Sequence, residues 1–323
     1  MIKIEKWNIS QWPNDKSDIL EIESKCFDDS LAMDEDEVYE SLSEGIVVVA
    51  RDDNKIVGIT YANDYDKINS EWFEGYFNPL DYPKYIKNKS LYITSTAILP
   101  EYRNKEIAIQ IRILLINICR ELSYKYIIGH AHKGSMCKIY KIFGGTIVAS
   151  FPKWYGSRQT HYLCELDIEN LFFNYVPKIK QKYDYDCALA SLKCVIQSIG
   201  IELEENKYIS LDISKEIGTS HESILLWLKT QFLTQGLYYH SKYNSTIDDL
   251  RNCLIVSDNP IVNYLDSDRI GHYSVIIGVS PIYVFIRDVW DGRIIKIKTD
   301  NFEKRWKSKM YGYKWLLFMT KVV

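Results

Sequence analysis

The sequence predicts two consecutive domains: an α/β domain on a mixed sheet over residues 1–167, then an α+β domain over residues 168–323. Three observations predict it. The chain has 323 residues, more than one hydrophobic core usually spans. Helical and strand-like runs alternate through the first half, whereas the second half places its helical runs first and its strand-like runs afterwards. Between them, residues 167–180 mix aromatic and charged side chains around Pro177 without a clean period, and the boundary is placed there.

Taken in order, Met1 to Lys6 alternates apolar and charged side chains like an edge strand. Asp15 to Phe27 carries Ile19, Leu20, Ile22 and Cys26 at helical spacing. Gly45 to Arg51 and Lys55 to Tyr61 are β-rich runs separated by Asp52-Asp53-Asn54, which reads as a hairpin. Leu91 to Leu99 reads as a strand stopped by Pro100, and Ile107 to Leu122 as an apolar helix. A strand over 126–131, a helix over 135–143 and strands near 146–151 and 161–166 complete the first domain. The second opens with a helix from Asp186 that Gly200 ends, followed by helical segments near 208–217 and 221–235. Strands follow at 260–265, 272–279, 282–288, 293–297 and 314–319.

Composition narrows the function. Hydrophobic residues make up 46% and charged residues 26% of the chain, which is ordinary globular composition. A net charge of −3 and a pI near 6.1 provide no field for phosphate backbones, so nucleic acid is not an expected partner. The start lacks the apolar core of a signal peptide and no window approaches a membrane span, so no membrane contact and a cytoplasmic location are expected. The seven cysteines are scattered without a C-x-x-C pair, which argues against a disulfide framework and a zinc site. His130 and His132 could face one side of a strand, but no nearby Cys or acidic set completes a metal site, so they read as strand polar residues.

One cysteine stands apart. Cys187 falls at a helix start, where unpaired N–H groups and the helix dipole favour a thiolate. A cysteine taken singly is more often a small core residue, so its company matters. His272 heads the apolar strand Gly271-His-Tyr-Ser-Val-Ile-Ile-Gly278 behind a small residue. Asp288 ends the next strand before Val289-Trp-Asp-Gly292, a turn that would set it beside His272 to fix the imidazole tautomer. Gln181, six residues before Cys187, offers a side-chain amide to the oxyanion of an attacked carbonyl.

The order Gln, Cys on a helix, then His and Asp on successive strands resembles the peptidase C39 family of papain-like cysteine peptidases, over about residues 177–323. The blocks that carry it are Gln181-Lys-Tyr-Asp-Tyr-Asp-Cys187-Ala-Leu-Ala and Gly271-His-Tyr-Ser-Val-Ile-Ile-Gly. The resemblance implies a papain-like fold with Cys187 as nucleophile, His272 as general base and acid, Asp288 as orienter and Gln181 as oxyanion donor. Ala188 departs from the glycine usual after the nucleophile.

The first domain resembles the GNAT acetyltransferases in its order of elements, with Tyr140 where that family often carries a general acid. Its loop Arg103-Asn-Lys-Glu-Ile-Ala108 has Glu106 where the family's phosphate loop has its first glycine. A carboxylate there repels phosphate and fills the space. This argues against acetyl-CoA chemistry and makes Tyr140 a packing residue in a non-catalytic domain.

The combination is similar to the cysteine-protease-like amide synthases of thiotemplate natural-product biosynthesis, as in the closthioamide pathway. That resemblance implies an acyl chain passed from an acyl carrier protein, on its phosphopantetheine arm, through Cys187 to a small amine or diamine. No further cofactor and no metal is expected. Asp184, Asp186 and Asp291 are near enough in sequence to meet a cationic amine, although solvated or turn roles suit them better. The alternatives are a C39-type leader peptidase and a non-catalytic scaffold.

Overall fold

The computed structural model describes residues 2–27, 32–73, 75–103, 105–132, 134–154, 160–201, 204, 208, 211–216, 218–232, 237–256, 258–266, 270–307 and 313–321. The chain forms two compact units, Met1–Glu169 and Asn170–Val323.

The first unit is a seven-stranded sheet in the order β1-β2-β3-β4-β5-β7-β6. These strands are β1 (Ile2–Trp7), β2 (Ile46–Asp52), β3 (Lys55–Asp64), β4 (Ser90–Ile98), β5 (Tyr126–His132), β6 (Thr146–Phe151) and β7 (His161–Asp167). The sheet is mixed because β4 and β5 alone run parallel, joined by the crossover helix α4 (Ile107–Glu121). Their pairing covers only Ser90–Tyr92 with Tyr126–Ile128, although both strands run on. Helix α1 (Trp12–Cys26) starts three residues before its expected position because Pro13 is accommodated in its first turn. Helix α2 (Glu35–Ser43), which periodicity does not reveal, is fixed by a capping box of Asp34 and Glu37. Two short elements, α3 (Pro83–Lys87) and α5 (Ser135–Ile142), complete the unit. Ile19 and Ile22 of α1, Val48 and Val49 of β2, and Leu115 and Ile116 of α4 are fully buried.

The second unit is an antiparallel sheet in the order β13-β12-β11-β10-β14-β9, with the short β8 paired to the end of β11. Its strands are β8 (Phe172–Phe173), β9 (Leu237–Lys242), β10 (Ile261–Leu265), β11 (Gly271–Val279), β12 (Tyr283–Arg287), β13 (Ile294–Lys298) and β14 (Leu316–Lys321). Helix α6 (Cys187–Ser198) packs on β11 and β10 through an apolar face that includes Leu192, Val195 and Ile196. Helices α7 (His221–Phe232), α8 (Ile247–Ile255) and α9 (Thr299–Trp306) follow. A core of Val262, Tyr264, Ile276, Ile286, Phe302, Trp306 and Leu316 joins sheet and helices. Gly278 is required where β8 meets β11, since a Cβ there would lie 2.5 Å from the Phe173 ring.

Two expectations change. Of the helix expected near 208–217, Tyr208 is helical but residues 211–216 are not, and Ser214 pairs with Gly218 as an isolated antiparallel bridge; 209, 210 and 217 lie outside the described residues. The strand region is interrupted by α9, and α8 precedes it behind a capping box of Thr246 and Asp249. The end of the expected helix at 233–235 also lies outside the described residues.

Candidate active site

Cys187 is the first residue of α6, and Ala190 makes the helix's opening backbone bond to Asp186. The N–H groups of the first turn therefore lack helical acceptors and point toward the thiol end. Cys187 is 9% exposed, so it is buried yet reaches the surface.

Asp186, immediately before it, would oppose a thiolate were its charge free. Instead, its carboxylate accepts the N–H groups of Lys182 and Tyr183, all at 3.1 Å, and folds residues 182–186 into a closed loop. Its role is structural, and it is not available to a cationic amine. Asp291 is likewise committed, accepting the Arg293 N–H at 2.8 Å and pairing with the Arg293 guanidinium. Asp184 is exposed.

β11 presents His272 and β12 delivers Asp288. Their register pairs Val275 with Arg287. Carried one step further it sets Asp288 opposite Ser274, so His272 is its diagonal neighbour on the same face rather than its direct partner. His272 Nε2 meets Asp288 Oδ1 at 2.9 Å. Asp288 Oδ1 also accepts the Trp290 N–H at 3.1 Å. Burial raises the Asp288 pKa, but the bonds from His272 and Trp290 outweigh it and hold the carboxyl below its ordinary range. Burial likewise lowers the His272 pKa, yet hydrogen bonds with Asp288 and Cys187 overcome it and push the imidazole up to about 9. With Nε2 engaged by Asp288, Nδ1 is the nitrogen that serves the thiol.

The turn carrying Asp288 is clamped from three sides. Gly292 N–H returns to the Asp288 carbonyl at 2.8 Å, with Gly292 at φ +72, where a side chain would be strained. The buried guanidinium of Arg287 donates to the Gly292 carbonyl at 2.8 Å and to the Val176 carbonyl at 3.2 Å. The Gln181 N–H donates to the Val289 carbonyl at 2.7 Å, which joins the loop before the thiol to the turn of the acid. Sequence reasoning favoured a solvated or turn role for Asp186, which fits its place in this loop, but did not name the N–H groups it binds. It missed Arg287, which sat unmarked inside an apolar strand.

The structure thus brings together Cys187, His272 and Asp288, and ties Gln181 to them through backbone. The Gln181 side chain donates from Nε2 to the Tyr183 carbonyl at 2.9 Å, and its Oε1 is buried without a partner among the described residues. That bond uses one of the two amide N–H groups, and the second is the donor an oxyanion could receive. The arrangement can activate a thiol, orient the imidazole that takes its proton, and hold an acyl group as a thioester.

In the first unit, the loop leading to α4 carries a carboxylate, Glu106, where a phosphate loop needs bare backbone. Glu106 caps the helix at φ +60, and Arg103 Nε is bound to the Ile98 carbonyl at 3.1 Å. Asn104 lies outside the described residues. Tyr140 is buried, and a Cβ on Gly129 would sit 3.0 Å from its hydroxyl, so its ring packs against β5. Beside it lies Arg112, 2% exposed, with its guanidinium 4.8 Å from the Tyr140 ring and no acceptor for its Nη1 among the described residues. His130 is stacked on Trp154 at 4.0 Å and bonded to the Tyr92 hydroxyl, while His132 Nδ1 accepts the Gly134 N–H, so both serve local structure.

A thiol at a helix start, opposed by an imidazole and carboxylate from adjacent antiparallel strands, is the arrangement of a papain-like thiol site. Comparison with known families agrees: residues 175–313 match the Peptidase C39 family, and residues 16–144 match the Acetyltransferase (GNAT) family. The chain is a fusion of these two domains, both from families of enzymes. No curated protein sequence matches it. Solved structures similar to it include the ribosomal-protein-S18-alanine N-acetyltransferase from Escherichia coli, at 10% identity and TM-score 0.40, over 52% of this chain and 94% of that one. The loading GNATL domain of CurA from Lyngbya majuscula matches at 14% identity and TM-score 0.41, over 52% and 98%. Among the described residues, no helix is long and apolar enough to cross a membrane.

Proposed function

We propose that the protein is a thiol acyltransferase that forms amides, taking an acyl chain from a carrier-protein thioester onto Cys187 and passing it to a primary amine or diamine. The observation that carries this reading is the Cys187–His272–Asp288 array, with the imidazole raised to about 9 and oriented by a carboxylate 2.9 Å away. The Cys187 thiolate adds to the thioester carbonyl, and collapse breaks the bond to the pantetheine sulfur. That sulfur takes the proton from imidazolium Nδ1. The amine then adds to the Cys187 thioester, the carbon–sulfur bond breaks, and His272 carries the amine's proton to the departing thiolate. The thioester provides the driving force. An oxyanion formed in either half would receive the first-turn N–H groups of α6 and the second N–H of the Gln181 amide. The phosphopantetheine arm belongs to the substrate, and the reaction asks for no other cofactor.

The family match also favours peptide cleavage, in which the same acyl-enzyme is discharged by water. Intact-mass and product analysis with an acyl carrier thioester, with and without a diamine and beside Cys187→Ala, separates the readings. An acyl adduct absent from the variant and released as amide only with amine supports the synthase. Free acid identifies a hydrolase, and an adduct that survives in Cys187→Ala refutes the role of the thiol.

A further inference from the structure

Beside the thiol segment lies a second polar cluster that the transfer chemistry does not use. Thr219, His221, Asn263 and Tyr273 are 7%, 8%, 6% and 4% exposed. Strand pairing sets Asn263 opposite Tyr273, the residue after His272. The Tyr273 hydroxyl donates to the Thr219 carbonyl at 3.1 Å. The His221 imidazole stacks on Trp315 at 4.0 Å, stands edge-on to Tyr273 at 5.7 Å, and lies 3.3 Å from the Tyr243 hydroxyl and 3.5 Å from the Asn263 amide nitrogen. The segment before the cluster borders the thiol loop, since a Cβ on Gly218 would lie 3.6 Å from the Tyr185 carbonyl, two residues before Cys187.

Two acceptors in this cluster are unsatisfied: Asn263 Oδ1 and Thr219 Oγ1 are buried without a hydrogen-bond partner among the described residues. Buried polar groups normally find partners, because leaving one unpaired sacrifices its hydration for nothing. Both orphans can accept a hydrogen bond, and the cluster carries no cation that would repel an amine: burial lowers the His221 pKa to about 4, which keeps that ring neutral near pH 7. The walls are aromatic, from Trp315 and Tyr273. Meanwhile Asp186 and Asp291, two of the carboxylates near the site in sequence, are engaged by the protein itself.

We infer that this cluster is the subsite for the amine, with Asn263 Oδ1 and Thr219 Oγ1 accepting N–H groups of a primary amine as it faces the Cys187 thioester. The inference rests on the amide-synthase reading and adds its acceptor site. Holding the nitrogen by its hydrogens leaves its lone pair for the acyl carbon. A C–N bond forms, the C–S bond to Cys187 breaks, and one N–H proton passes through His272 to the released thiolate.

The test uses the full chain acylated on Cys187, its load read by intact mass, with discharge by 1,4-diaminobutane followed over a range of concentrations and normalised to that load. Thr219→Val removes the oxygen while keeping the shape, and Thr219→Ser keeps the oxygen. Asn263→Leu removes the other acceptor. Each loss should raise the amine concentration for half-maximal discharge about tenfold, whereas Thr219→Ser should return the native value. Unchanged half-saturation in Thr219→Val and Asn263→Leu overturns the subsite while leaving the synthase reading intact. A native enzyme that loads acyl groups but discharges them only to water overturns both.

Discussion

Replacing Asp288 by Asn keeps the shape of the side chain and removes its charge, which isolates what the carboxylate does to His272. In the native protein the His272 pKa rises from 6.5 to about 9: burial lowers it, and bonds with Asp288 and Cys187 raise it by more. A hydrogen bond to a charged group contributes about 1.5–3 kcal/mol net, and one pKa unit corresponds to about 1.4 kcal/mol. Losing the charge should therefore lower the His272 pKa by roughly one to two units. The sign follows from which form Asp288 favours. It stabilises the imidazolium, so its removal moves the alkaline limb of amide formation toward lower pH, where the native enzyme still holds the proton needed by the leaving thiol. The same shift bears on stability. A folded pKa above the unfolded value near 6.5 means that the stabilisation is complete below about pH 6.5 and is lost as pH rises through about 9. The measurement is the NMR titration of the His272 Cε1–H, assigned by its loss in His272→Gln, alongside the pH dependence of kcat. A midpoint in Asp288→Asn that stays at the native value would refute the argument that this carboxylate sets the imidazole's charge.

Three further outcomes are expected. Asp186→Ala frees the N–H groups of Lys182 and Tyr183 and releases the loop that carries Gln181; kcat should fall about tenfold or more, from about 1–3 kcal/mol of lost positioning, as read by steady-state discharge. Gly278→Ala drives a methyl to within 2.5 Å of the Phe173 ring and should destabilise the second unit by about 1–3 kcal/mol, visible as a lower urea midpoint in tryptophan fluorescence. Arg112→Met replaces a buried guanidinium whose Nη1 has no acceptor among the described residues; the first unit should become no less stable, by thermal unfolding, because desolvating a charge with an unpaired N–H group is costly.

The elements that position the candidate site were legible because their signals are local. Gly200 ends the thiol helix at φ +73, as a glycine after a helical run should. The order Cys187, His272, Asp288 and the turn at Val289–Gly292 announced a helix and two antiparallel strands. Less visible were α2 and α8, short helices held by capping boxes rather than by apolar periodicity. The long-range pairing of β8 with β11 was also hidden, because two phenylalanines show no alternation.

By itself, then, the sequence determined which residues could do thiol chemistry and on what elements they sit, since helix starts, strand runs and turns are written in adjacent residues. The tertiary structure decided what those residues are free to do. It set His272 and Asp288 as diagonal neighbours, tied Asp186 and Asp291 to backbone and to Arg293, and gathered Thr219, Asn263 and Tyr273 from separate segments into one polar cluster. Hydrogen-bond partners and burial depend on which distant segments meet across the sheet, and no local pattern in the chain encodes that meeting.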